Sequence, residues 1–137
     1  MSGPFGKETL QGLPLPWRVK KALGAFDEAQ DPDCLFDGDD TIFKARLAQS
    51  AVYAEYGVGK STRWVLRHTK AQVLAVDSDA RWIDHVMTEV AAPDRFHPLH
   101  VDLGPLGDWG HPRGYSKREN FQAYTDSPWR RELTPDT

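Results

Sequence analysis

The sequence predicts an α/β fold in which three short parallel strands alternate with helices. Three observations carry this. An apolar run at 51–55 leads into two glycines, Gly57 and Gly59, and then into a helix-like segment. Residues 72–77, Q-V-L-A-V-D, form an apolar run ending in an acid, as a strand buried on both faces does. Residues 99–103, L-H-V-D-L, give a third short run, and a segment with helical spacing separates the second from the third. The order β-α-β-α-β implies a parallel sheet with right-handed crossovers, a Rossmann-like domain. A chain of 137 residues suits one domain, and three strands make only a partial sheet.

Taken in order, residues 1–16 hold three Gly and three Pro and read as an irregular arm. Residues 17–29 place Trp17, Val19, Leu23, Phe26 and Ala29 at approximate helical spacing, with Pro16 just ahead of the first turn. Residues 31–39 are an acidic turn. A calcium loop is one reading of it. The spacing does not match an EF-hand and no Glu closes it, so aspartates capping a helix explain it better. That helix is expected over 41–49, with Ile42, Phe43, Leu47 and Ala48 as its apolar side and Asp39 or Asp40 as cap.

A helix over 60–69 follows the glycines, with Trp64, Val65 and His68 on one side. Another is expected over 79–91, through Trp82, Ile83, Val86, Met87 and Val90, with Asp79 at its N-cap. Pro93 and Pro98 bracket a loop before the third strand. From Gly104 onward four Pro and four Gly interrupt the pattern. Ser116 and Glu119 form a capping-box pair for a short helix over 116–123. The organisation expected is an arm at 1–16, N-terminal helices at 17–49, a binding core at 50–103 and a Gly/Pro/aromatic-rich tail at 104–137.

The net charge of −3 supplies no field for nucleic acid or an anionic membrane. Cys34 is the only cysteine, which excludes an internal disulfide and a cysteine-based metal cluster and suits a reducing cytoplasm. No apolar run approaches the length of a signal peptide core or a membrane span. A cytoplasmic protein without a membrane partner or metal site is expected. Five Trp, four Tyr and six Phe, many of them late in the chain, either form a ligand or partner surface or pin down loops.

The stretch S-A-V-Y-A-E-Y-G-V-G-K-S-T at 50–62 admits two readings. One is a phosphate-binding loop, since Ala54, four residues, then Gly59-Lys60-Ser61 fits the relaxed pattern. On that reading the apolar run ending in Asp77 supplies the acid that organises magnesium. The other is the nucleotide-binding turn of a Rossmann-like domain. Asp77 lies 20 residues after Gly57, where such a domain places the acid that binds ribose hydroxyls. Glu55, at the mouth of the turn, repels a triphosphate and suits an amine. Asp102 is expected to end the third strand, so that three acids line one crevice. Ser61 and Thr62 stand where the dinucleotide pattern has its third glycine, which argues against close packing on a pyrophosphate. The competing structural reading is that the glycines only make a tight turn and the acids only cap helices.

These residues resemble the class I S-adenosylmethionine-dependent methyltransferases. E-Y-G-V-G-K-S-T at 55–62 is similar to that family's first motif, in the subset whose helix opens with Ser-Thr. V-D-S-D-A-R-W at 76–82 resembles the second motif and V-D-L-G at 101–104 the third. G-P-L-G-D-W-G-H-P at 104–112 resembles a signature of an uncharacterised bacterial branch of the superfamily. The resemblance implies S-adenosyl-L-methionine as cofactor and methyl transfer to a small-molecule acceptor. It implies that Glu55 meets the cofactor's amine, that Gly57 and Gly59 admit its close approach, and that Ser61 and Thr62 bond its carboxylate. Asp77, with Ser78 beside it, would hold the ribose, and Asp102 and Leu103 the adenine. Trp82 and Trp109 are candidate aromatic faces for the sulfonium, against a packing role. His111 and Tyr115 are candidates to reach an acceptor. No catalytic residue is implied, because holding donor and acceptor in line can suffice.

The family's sheet has seven strands. The expectation is therefore that the chain is truncated, or that a homo-oligomer mate or complementing chain covers the sheet edge. A cover made by the aromatic segment 104–130 is the further possibility. A non-catalytic cofactor-binding or assembly module is the alternative function, and a phosphate-loop nucleotide hydrolase the third.

Overall fold

The strand Q-V-L-A-V-D has no polar face to give to water, and it becomes the centre of the sheet. In the computed structural model, which describes residues 34–36, 39–91 and 93–137, β2 (Gln72–Asp77) lies between β1 (Val52–Tyr56) and β3 (Phe96–His100). Both pairings are parallel, with Tyr53 opposite Val73, Glu55 opposite Ala75, Ala75 opposite Pro98 and Asp77 opposite His100. Every residue of β2 after Gln72 is buried. The arm at 1–16 and the helix expected over 17–29 lie outside the described residues.

Among the described residues, four helices accompany the strands: α1 (Thr41–Gln49), α2 (Lys60–His68), α3 (Ala80–Glu89) and the short α4 (Phe121–Asp126). Leu47 of α1, Val65 and Leu66 of α2, and Ile83 and Val86 of α3 form one buried cluster with Tyr53, Val73, Ala75 and Phe96. A second cluster joins Val76, Val101 and Leu103, with Leu106, Phe121 and Tyr124 packed against it. The late aromatic segment thus closes apolar surface that α1 to α3 do not reach. Arg95 ties layers together by donating to the Leu66 and Ala71 carbonyls at 2.7 and 2.8 Å.

Local chemistry explains most boundaries. Asp79 accepts the Arg81 N–H at 3.0 Å and caps α3. Asp39 accepts the Thr41 N–H at 2.9 Å at the start of α1. Asp40 accepts the Leu35 N–H at 2.8 Å and pairs with Lys44 at 3.0 Å. Among the described residues, no group of three or more His, Cys, Asp or Glu is placed to hold a metal.

Two expectations are corrected. β3 runs over Phe96–His100 and not 99–103. Pro98 reads as a loop residue, but β3 is an edge strand, and a proline is tolerated where its missing N–H would face outward. The Val101 N–H donates to Asp77 O at 3.0 Å, so by alternation Pro98 nitrogen points away from β2. The helix expected at 116–123 begins later: a 3-10 turn at Arg118–Asn120 leads into Phe121–Asp126, and its N-cap Asn120 makes no side-chain capping bond, donating instead to the Asp102 carbonyl at 2.8 Å.

The outer edge of β1 is partly occupied by residues 136–137, not by the aromatic segment. Thr137 donates to the Val52 carbonyl at 3.4 Å and accepts from the Ala54 N–H at 2.9 Å, the bonding pattern of a residue running parallel to β1. The Asp136 carboxylate accepts the Ala51 and Val52 N–H groups at 2.9 and 3.4 Å, and Arg46 donates to its carbonyl at 2.9 Å. Beside this contact runs a groove of about 290 Å³ lined by Ala54, Tyr56, Pro128, Trp129 and Pro135, among others. Among the described residues no helix is long and apolar enough to cross a membrane.

Leu74 is 1% exposed and Met87, on the outer side of α3, is 53% exposed. Leu74→Ala is expected to cost about 2–5 kcal/mol, by lost burial and the cavity left behind. Met87→Ala should stay within about 0.5 kcal/mol, as surface changes do. Urea unfolding of the two variants checks the pair.

Candidate functional site

β1 ends at Tyr56, and the chain must turn at once to start α2. Gly57 permits this: its φ of +88° lies where a Cβ would strain the backbone. Its N–H still donates to Val76 O at 2.7 Å, extending the ladder by one rung. The next two N–H groups go to side chains. Val58 donates to Asp77 Oδ2 at 2.7 Å, and Gly59 donates to Thr62 Oγ1 at 2.9 Å. A Cβ built on Gly57 or Gly59 would meet no heavy atom within 4 Å, so open space stands in front of both glycines.

Two carboxylates hold this turn. Asp77, 7% exposed at the end of β2, clasps Val58 N–H with one oxygen and Asp79 N–H with the other, at 2.8 Å. It thereby joins the turn after β1 to the start of α3. Glu55 lies within a cluster of hydroxyls. Its Oε2 accepts from Tyr53 OH at 2.9 Å and Ser61 Oγ at 2.6 Å, and its Oε1 accepts from Thr62 Oγ1. Burial pushes the Glu55 carboxyl above the ordinary glutamate value; the three hydroxyls oppose that and the nearby Asp77 charge adds to it. Burial and the Glu55 charge likewise raise the Tyr53 hydroxyl.

Ser78, 7% exposed, follows Asp77 into the same region. Its Oγ donates to Gly110 O at 2.9 Å, and its carbonyl lies 3.2 Å from His100 Nε2. Gly110 belongs to a hairpin-like loop in which Leu106 and Pro112 form an antiparallel bridge and Arg113 N–H donates to Pro105 O at 2.8 Å. A Cβ on Gly110 would come within 2.8 Å of Ser78 Oγ, so glycine there lets the loop lie against the end of β2. Trp109 at the loop tip is 72% exposed and itself has a φ of 61°.

The structure therefore brings Glu55, Gly57, Gly59, Ser61, Thr62, Asp77 and Ser78 to the strand ends and the adjoining start of α2. Asp102 and Leu103 are placed differently from the reading in which an acid ends the third strand. With β3 closing at His100, Asp102 lies two residues further on, exposed, with its carboxylate 2.9 Å from its own loop's Gly104 N–H. Leu103 is 6% exposed and packs in the second apolar cluster. Trp82 lies exposed on α3, edge-on to His85. Tyr115 packs against Phe121, and His111 is exposed on the hairpin-like loop.

Tyr53 and the Val58 N–H escaped the sequence reading. Tyr53 was within reach of it: two residues before Glu55 on a strand, it shares the acid's face. The link between His100 and the Ser78 carbonyl had no local signal, since it depends on the register of β3.

The phosphate-loop reading loses its geometry. Three successive N–H groups, at 57, 58 and 59, are engaged by a carbonyl, a carboxylate and a hydroxyl, and Ser61 donates to Glu55. An arriving phosphate would face two carboxylates at the turn that should cradle it.

No protein-family model and no curated protein matches the sequence. Among solved structures, the chain is similar to a methyltransferase-like protein from Silicibacter pomeroyi DSS-3, with 26% identity and a TM-score of 0.62. The likeness covers 77% of this chain and 60% of that one, so the chain spans less than two thirds of its relative's length. The fold is thus an α/β, Rossmann-like arrangement of the methyltransferase kind.

Because its carboxyl is raised, Glu55 makes the native state hold a proton more tightly than the unfolded chain. Stability should fall as pH rises from the ordinary glutamate value through the raised native one, then level off. Glu55→Gln removes this component. Urea unfolding of wild type and variant across pH checks it: the difference between them should change in that window and be constant above it.

Proposed function

We propose that the chain binds S-adenosyl-L-methionine and serves methyl transfer to a small-molecule acceptor in the cytoplasm. One observation carries the reading: a Gly57-Val58-Gly59 turn, open in front of both glycines, clasped to a buried acid at the end of the neighbouring strand. Side chains are absent where a ligand has to approach closely, and a carboxylate stands beside that approach. Each Asp77 oxygen has one N–H partner and keeps lone-pair capacity for ribose hydroxyls. Ser78 and the loop pinned to it by Gly110 supply a wall at the end of β2.

The cofactor supplies an electrophilic methyl group on a sulfonium. The chain's residues then have three tasks: to fix the ribose through Asp77, to let the cofactor as a whole approach the backbone at the glycines, and to keep water from the reacting side. Alignment of donor and acceptor can supply much of the rate, so a dedicated base is not required. The exposed Trp109 and His111 on the loop are candidate contacts for the acceptor.

Isothermal calorimetry with S-adenosylhomocysteine tests the reading. Micromolar binding is expected, weakened at least about ten-fold in Asp77→Ala, or about 1.4 kcal/mol. Thermal unfolding of the variant separates lost binding from lost fold. ATP binding that disappears in Lys60→Ala, without binding of S-adenosylhomocysteine, would sink the proposal. Turnover of a methyl acceptor distinguishes an enzyme from a binding module.

We further propose that the outer edge of β1 is covered in use by an oligomer mate or a complementing chain. Thr137 pairs with Val52 and Ala54, whereas the Ala54 carbonyl and Tyr56 N–H beyond it face the same outer side. Tyr56 and Trp129 beside that edge are 52% and 67% exposed. Analytical ultracentrifugation is expected to show self-association that weakens in Trp129→Glu. A monomer at all concentrations, with no added partner peptide bound, would rule this out.

A further inference from the structure

We infer that Glu55 is a positioning residue, which shapes the Gly57–Gly59 turn through Ser61 and Thr62 and does not itself contact the ligand's amine. The inference rests on the S-adenosylmethionine reading and deepens it. It follows from where the carboxylate's hydrogen-bonding capacity goes. A carboxylate offers about four lone-pair sites. Three of these receive protein hydroxyls, from Tyr53, Ser61 and Thr62. The donors come from the same strand and from the first turn of α2.

The bond directions are informative. A hydroxyl has one proton, and Thr62 gives its proton to Glu55. Thr62 Oγ1 must therefore act as acceptor toward the backbone, and it does so for Gly59 N–H at 2.9 Å. The result is a one-way relay from Gly59 N–H to Thr62 hydroxyl to Glu55 carboxylate. A negative charge behind the first turn of α2 also complements the positive end of that helix. The one lone-pair site left lies on Oε1 beside the Thr62 hydroxyl, so an ammonium group bound directly by Glu55 would have to share the oxygen that anchors the relay. Asp77, by contrast, touches the turn through backbone N–H alone, with one partner on each oxygen and lone-pair capacity to spare. The two acids thus have separate tasks: Glu55 sets the turn and Asp77 meets the ligand.

The test compares S-adenosylhomocysteine with 5′-methylthioadenosine, which lacks the amino-acid part. If Glu55 positions the turn, Glu55→Gln and Thr62→Val weaken both ligands alike, so the ratio of affinities changes by less than about two-fold. Thr62→Ser keeps the hydroxyl and should restore both. Without ligand, hydrogen exchange at the Gly59 amide should speed up in Glu55→Gln and Thr62→Val and return in Thr62→Ser. Loss of at least about ten-fold for S-adenosylhomocysteine alone would mean direct contact with the amine and overturn the inference. Unchanged affinities with unchanged Gly59 exchange would overturn it as well. Wild type that binds neither ligand would reject the cofactor reading, while the exchange measurement would still judge the relay.

Discussion

The hydrogen bond from Val58 N–H to Asp77 fixes what the rest of the site can be. It joins the turn after β1 to the end of β2, and through Asp79 N–H the same carboxylate sets the start of α3. One buried acid therefore sets the relative positions of two strands' ends and a helix start. A buried charge is tolerated only when its lone pairs are satisfied. Here one backbone N–H per oxygen meets it, so part of the cost of burying it is offset by groups that would otherwise also lack partners. The clasp leaves the glycines facing open space, which is the condition for a ligand to approach backbone.

Around that clasp the sheet is closed in unequal ways. One cluster is built from α1, α2 and α3 on Tyr53 of β1 and the alternate residues Val73 and Ala75 of β2. The other is smaller and depends on Leu106, Phe121 and Tyr124 from the irregular last third of the chain. Trp129 and Tyr56 stand largely exposed beside β1's outer edge, where Asp136 and Thr137 bond to Val52 and Ala54. The similar methyltransferase-like protein is longer, and this chain covers 60% of it. The groove along Ala54, Tyr56 and Trp129 lies beside that same edge.

The division of labour between Glu55 and Asp77 has a simple electrostatic basis. Both acids lie near one helix start, and the Asp77 charge contributes to raising the Glu55 carboxyl. Two like charges so placed are most easily accommodated when each has its own donors. Glu55 takes hydroxyls and Asp77 takes backbone N–H groups, so neither competes for the other's partners. A turn so furnished with acids is a poor host for a triphosphate and a suitable one for a ligand with hydroxyl and ammonium donors.

The sequence by itself determined the alternation of elements. Apolar runs of strand length, helical spacing between them and the aspartate at 79 are local signals, and β1, α2, β2 and α3 form within a residue or two of where those signals put them. It also determined the candidate acids, since Gly57-x-Gly59 and Asp77 are legible from spacing. Tertiary structure decided what each residue does. β3 starts three residues earlier than its apolar pattern suggests, because an edge strand can hold Pro98, and edge position is a property of the whole sheet. That shift takes Asp102 off the strand end. Whether Glu55 faces a ligand or its own helix depends on hydroxyls six and seven residues away, reached only once the turn at Gly57 has folded α2 back onto β1. Spacing along a chain fixes which groups are available; the register of the sheet and the direction of each hydrogen bond fix which of them remain free.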